Sequence, residues 1–203
     1  MVVPRTISRS INVAGVARKA ACAGFLALAA AASLALPPVS MPVSAQAARS
    51  NESELKAAFL YNFIKFTEWP AEQMANKSAP FVIGVLGRDP LGAALDKTIE
   101  GESFHQKPIV IRRFARLDES ALQSHALFIS ASEESHLPMI LKLLDGQAIL
   151  TVSDIENFAQ RGGGIQLKKE SNKIVFEINI EAARRAGLAI HAQLLKLAKV
   201  VKK

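Results

Sequence analysis

Beyond residue 79 the chain alternates short runs of β-branched and apolar residues with stretches of helical periodicity. The runs are PFVIGVL (80–86), KPIVIR (107–112), ALFIS (126–130), QAILTV (147–152), GIQLKK (164–169) and KIVFEINI (173–180). Each is bounded by Gly, Pro, Asp or Asn, and each predicts a strand. Helices are predicted over 90–99, 117–123, 133–144 and 154–161. Asp89-Pro90 offers an N-cap with proline at the first helical position, and Ser153-x-x-Glu156 reads as a capping box. Such alternation predicts one α/β domain with a mainly parallel sheet and helices on both faces. The last two strands, separated only by KESN, predict an antiparallel hairpin, and EAARRAGLAIHAQLLKLAKVVKK (181–203) predicts a long terminal helix. Gly187 within it costs about 1 kcal/mol relative to alanine and marks a kink or a close contact.

The helical pattern before the first strand is unusual in its side chains. KAAFLYNFIKFTEWP (56–70) holds the single Trp and single Tyr of the chain and three of its ten Phe. Leu55, Ala58, Phe59, Asn62, Phe63 and Phe66 follow the spacing of a buried helical stripe, and Leu60, Tyr61 and Ile64 widen it. Asn62 on that stripe needs a hydrogen-bond partner if buried. The helix is expected to fade at Glu68-Trp69, because Pro70 disfavours helical geometry in the residue before it. Aromatic stripes of this kind are usually core, with Trp69 as a plug. The alternative is a pocket or partner surface, where aromatic rings and an indole N–H are favoured.

The first 47 residues have a different character. Arg5, Arg9, Arg18 and Lys19 precede or begin an apolar run, AACAGFLALAAAASLAL, which is followed by PPVSMPVSAQA. That order is a cleavable secretory signal, with cleavage expected after Ala47 and a mature domain over 48–203. No membrane insertion is expected of the mature part. Cys22 is the only cysteine and leaves with the leader, so the mature chain enters an oxidising compartment with no disulfide. Removing the four leader cations from Lys+Arg 25 against Asp+Glu 18 lowers the net charge from +7 to +3. A balance so close to neutral gives little support to nucleic-acid binding.

Motifs for chemistry are sparse. GVLGRDPLG (84–92) is a glycine-bearing turn from strand to helix, yet it matches neither the dinucleotide fingerprint nor the P-loop. RGGG (161–164) is explained by turn conformation. Glu133 and His136 share a helical face among the four histidines 105, 125, 136 and 191, but two side chains are short of a metal site. There is no G-x-S-x-G and no H-E-x-x-H. Neither an enzyme nor a cofactor or metal is expected.

ELKAAFLYNFIKFTEWP, FVIGVLGRDPLG, HALFISASEE, ILTVSDIENFAQRGGGIQL, IVFEINIEAARRAGLAI and QLLKLA occur in that order over about 54–198. Together they resemble the YfiR family of periplasmic regulatory proteins. The resemblance implies a protein that binds the periplasmic sensor part of an inner-membrane diguanylate cyclase and represses it, lowering cyclic di-GMP and biofilm output. It also implies that an outer-membrane lipoprotein can sequester the repressor, and that a sensor kinase is the partner of some members. Homodimerisation is a further possibility. Members often carry cysteine where this chain has Ser124, so redox control through disulfides is not expected here. The rival reading is a periplasmic small-molecule-binding sensory module working with a sensor kinase or transporter. For either reading the candidate ligand or partner cleft is formed by Asn62, Lys65, Glu68, Trp69 and His191, between the aromatic helix and the terminal one.

Overall fold

The computed structural model describes residues 43–171 and 173–201, so the expected leader lies outside the described residues except for positions 43–47. Helix α1 (Val43–Lys65) leads into the short strand β1 (Thr67–Glu68), and α2 (Ala71–Met74) precedes β2 (Phe81–Leu86). There follow α3 (Ala93–Ile99), β3 (Ser103–Phe104), β4 (Lys107–Phe114), β5 (Ala126–Ile129), α4 (Leu137–Leu144) and β6 (Leu150–Ser153). The chain continues through β7 (Ile165–Glu170), β8 (Lys173–Asn179), α5 (Ile180–Arg185), β9 (Ala189–Ile190), α6 (Ala192–Leu197) and β10 (Lys199–Val201). Eight strands form one sheet in the order β10-β8-β7-β6-β5-β2-β4-β3, while β1 and β9 pair separately. Strands β4, β2, β5, β6 and β7 run parallel, and β7–β8 is the antiparallel hairpin expected from the sequence.

Strand alternation distributes apolar side chains to two cores. Phe81, Ile83 and Val85 of β2, Ala126 and Phe128 of β5, and Leu150 and Val152 of β6 meet α1, α3 and the segment after β8 on one face. Leu86, Leu127 and Ile129 meet Leu137, Ile140 and Leu144 of α4 and Phe158 on the other. Burial on both faces explains why these parallel strands read as nearly continuous apolar runs.

Four local expectations are corrected. The buried side of α1 is Ala57, Leu60, Phe63 and Ile64, whereas Leu55, Ala58 and Asn62 are exposed. The stripe is rotated toward the small and branched residues that fit against the sheet, and Asn62 needs no buried partner. Residues 154–161 form turns rather than a helix. The Ser153 hydroxyl donates to the Ile129 carbonyl (2.6 Å) and accepts from Ile155 N–H (3.0 Å), which leaves no capping box. Phe158 then drops into the second core beneath Gly163, where a Cβ would come within 2.1 Å of the ring. Asp89 does not cap α3 directly: its carboxylate accepts the N–H groups of Leu91 and Gly92, and the helix begins at Ala93.

The fourth correction is the terminal segment, which is α5, β9, α6 and β10 instead of one helix. Gly187, at φ +69°, stops α5: its N–H bonds the Arg184 carbonyl (3.0 Å) and Leu188 N–H bonds the Ala183 carbonyl (2.9 Å). This pair is the Schellman arrangement, with glycine in the left-handed position. After α6 the chain returns to the sheet, and Lys199–Val201 pairs parallel to Glu177–Asn179 at the edge. That edge carries a buried carboxylate. Glu177, 2% exposed, is bonded by Gln160 and faces Lys168 (3.2 Å) and Lys199 (3.3 Å). Burial pushes its carboxyl up, but the donors from Gln160 and the two lysines together hold it below the usual carboxylate range.

Candidate functional site

Trp69 follows β1 and turns inward beneath the amino ends of the central strands. Its indole N–H donates to the His125 carbonyl (3.1 Å), which also accepts from Leu150 N–H (2.9 Å). Its ring meets Phe81 and Phe104 edge-on, with centroids 5.1 and 5.5 Å away. Phe81 stacks on His125 at 4.5 Å, and His125 Nδ1 accepts the Val82 N–H (3.1 Å). Burial depresses the His125 imidazole below its ordinary range; a hydrogen bond to the Gln73 backbone opposes this, and the nearby Lys107 charge adds to it. Lys107, 1% exposed, donates to the carbonyls of Asn76 and Ala79 and so ties the loop after α2 to the start of β4.

Outward from Trp69 the cluster opens into a cleft of about 500 Å³. Glu68, Trp69, Met74, Lys77 and Phe104 line it, together with the His105–Gln106 turn of the β3–β4 hairpin. Both turn residues have positive φ, +49° and +66°. A two-residue hairpin of this twist demands such angles and normally takes Asn-Gly. With His-Gln in those positions the backbone carries strain, of a kind that concentrates at functional sites.

A second feature adjoins the cleft. Thr67 pairs with Ile190 and Glu68 with Ala189, and His191 N–H donates to the Phe66 carbonyl (2.9 Å). His191 Nε2 then lies 3.0 Å from a Glu68 carboxylate oxygen, and its ring is edge-on to Phe66 at 6.3 Å. Lys65 places its ammonium 5.2 Å from the Tyr61 ring centre. The Tyr61 hydroxyl donates to Glu102 (2.5 Å), and burial followed by that carboxylate pushes the phenol up to about 12. On α6 Leu197 is 77% exposed. The result is a patch of mixed charge around the β1–β9 ladder.

Of the five residues singled out from sequence, Glu68 and His191 are brought into contact, and Glu68 also borders the cleft. Trp69 packs in the core and also lines the cleft. Asn62 and Lys65 are exposed on α1 outside the cleft. The opposite wall comes from α2 and the β3–β4 hairpin, not from the terminal segment. Met74, Lys77, Phe104, His105 and Gln106 were not singled out, because a His-Gln turn carries none of the glycine or asparagine signals of its hairpin type.

Ligands of open α/β sheets usually sit where neighbouring crossovers diverge, at the carboxyl ends of the strands. Here that position, between β2 and β5, is filled. A Cβ on Gly87, at φ +85°, would lie 2.4 Å from the Ser132 hydroxyl and 2.7 Å from a Glu133 oxygen, and Ser132 also accepts the Arg88 N–H (3.0 Å). Glu133 and His136 do meet, at 3.3 Å. Among the described residues, however, no group of three or more His, Cys, Asp or Glu is placed to hold a metal ion. Gly163 and Gly164 pack on Phe158 and Thr151, which accounts for the glycine run. No described helix is long and apolar enough to cross a membrane.

Fold and surface together define an α/β domain whose conspicuous features are an aromatic cleft at the amino ends of the strands and a charged patch at its rim. The chain belongs to the YfiR/HmsC-like family, whose model matches residues 53–199, from α1 into β10. No curated protein matches it.

Proposed function

We propose that this chain is a secreted, periplasmic regulator of diguanylate cyclase signalling rather than an enzyme. In this reading it binds the periplasmic sensor part of an inner-membrane diguanylate cyclase and holds it in an inactive arrangement, lowering cyclic di-GMP and biofilm output. Family membership over 53–199 is the observation that carries the reading. The Glu68–His191 contact and the exposed Lys65, Asn62 and Leu197 support it by offering surface to a protein partner. An outer-membrane lipoprotein competing for that patch would relieve repression. Repression of this sort is a population shift, limited by the difference in affinity for the two arrangements of the sensor.

The test is to delete the gene in the native host, measure cyclic di-GMP, and restore either the wild-type chain or Glu68→Ala/His191→Ala. The expected results are a rise on deletion, a return with the wild type, and no return with the folded double variant. Unchanged cyclic di-GMP on deletion would refute the repressor reading. A second reading, a small-molecule-binding sensory module serving a sensor kinase or transporter, is favoured by the cleft beside Trp69. Affinity capture of a sensor kinase or transporter subunit in place of a cyclase would decide for it.

A further inference from the structure

We propose that the cleft beside Trp69 is a binding site for a small organic monoanion, a carboxylate on an apolar body, with Lys77 as its counter-charge. This site rests on the small-molecule reading of the cleft; it shares Glu68 with the partner patch and does not depend on which membrane protein the chain regulates.

Size and shape come first. About 500 Å³ lies within the range of small-molecule sites, and the lining sets Trp69, Met74 and Phe104 beside the polar side chains of Glu68, Lys77, His105 and Gln106. Trp69 and Phe104 are 8% and 7% exposed, and Met74 completes the apolar side with an adaptable thioether. The indole N–H is already spent on the His125 carbonyl, so Trp69 offers the cleft apolar ring surface and no donor. The body of the ligand is therefore apolar.

Charge sets the other end. The rim carries one carboxylate, Glu68, an oxygen of which lies 3.0 Å from His191 Nε2 on the patch side. Among the described ion pairs Lys77 has no carboxylate partner, so its ammonium is the charge left over. Gln106 adds amide hydrogen-bonding capacity, and His105 adds a ring N–H. A cationic ligand would face the Lys77 ammonium, and a dianion would find one cation and a nearby carboxylate. A single negative charge fits both groups. The strained His105–Gln106 turn holds the two polar side chains at the mouth, where a Gly-containing turn would supply none.

Trp69 is the only tryptophan, so its emission reports the cleft without labelling. The experiment titrates the purified protein with phenylacetate, phenethyl alcohol and phenethylamine, which share one body and differ in charge. Phenylacetate is expected to change Trp69 emission saturably and to bind about two- to fivefold tighter than the alcohol, the gain typical of a solvent-accessible ion pair. The amine should bind most weakly. Lys77→Ala, on an exposed loop position, should bring phenylacetate to the alcohol's affinity and leave the alcohol unchanged, while Lys77→Arg keeps the preference. A preference for the amine, or an anion preference that survives in Lys77→Ala, would overturn the charge assignment. No saturable response to any of the three, from protein whose circular dichroism shows it folded, would overturn the site.

Discussion

Replacing Trp69 with alanine tests whether the aromatic segment belongs to the core. The side chain is 8% exposed and contacts two aromatic rings edge-on. Truncating a buried tryptophan typically costs about 3–5 kcal/mol, and the lost indole hydrogen bond adds about 1 kcal/mol. No orphaned acceptor adds to this, because Leu150 N–H still serves the His125 carbonyl. The expected loss of about 4–6 kcal/mol is a large part of the 5–15 kcal/mol that stabilises a typical domain. Trp69→Phe keeps a ring against Phe81 and Phe104, and its expected cost is about 1–2 kcal/mol. Urea unfolding followed by far-UV circular dichroism measures both, since neither variant retains a tryptophan to follow. A Trp69→Ala cost below about 1 kcal/mol, the scale of a surface substitution, would refute the core assignment.

Gly187→Ala should lower stability by about 1–2 kcal/mol, because φ is +69° and the new methyl group meets Pro70 at 3.3 Å; a shift in urea midpoint without a change in slope would register it. Ser124→Ala should be neutral or stabilising by up to about 1 kcal/mol, since the buried hydroxyl has no hydrogen-bond partner among the described residues, and a clear loss would contradict that assignment. Gln106→Gly should raise the thermal midpoint by relieving a φ of +66°, worth about 1 kcal/mol, while removing a polar group from the cleft mouth. Stability should also fall as pH drops below 6.5, the ordinary imidazole value. Above that value His125 is neutral folded and unfolded. Below it the unfolded chain binds a proton that the folded site, with Nδ1 accepting the Val82 N–H, resists until a lower pH. A urea midpoint that stays flat from neutral pH to pH ~5.5, about one unit below the ordinary value, would count against this placement of the ring.

The sheet was legible because its strands are buried on both faces, which leaves the same β-branched runs and turn boundaries that sequence reading uses. Segment 154–161 was misread because Ser153-x-x-Glu156 satisfies a local capping pattern, whereas the decisive interaction is the Ser153 hydroxyl reaching the Ile129 carbonyl on another strand. Asn62 was placed on the wrong side for a related reason. With apolar residues on most of the helix circumference, periodicity alone does not say which arc meets the sheet; packing chose Ala57, Leu60, Phe63 and Ile64. The cleft was half legible. Trp69 and Glu68 were visible as residues beside an aromatic helix, but their partners arrive from α2 and a hairpin whose turn sequence is atypical.

The terminal segment shows most directly how a local stop builds the surface. As one continuous helix from Ile180, the chain would carry His191 about 16 Å along a straight axis, at 1.5 Å per residue. It would then leave no strand to pair with Thr67 and Glu68. Gly187 ends that helix, Leu188 is buried in the main core, and the chain extends just long enough for Ala189 and Ile190 to form the ladder with β1. The ladder fixes the register that sets His191 against Glu68. Glu68 is thereby held beside the patch while remaining on the rim of the cleft, and Lys77 is the cleft's lysine with no carboxylate partner among the described ion pairs. Gly187→Ala is therefore expected to reach the proposed site as well as to lower stability. A glycine replacement that loosens the β1–β9 ladder should release Glu68 and weaken the anion preference of the cleft, although residue 187 does not line it.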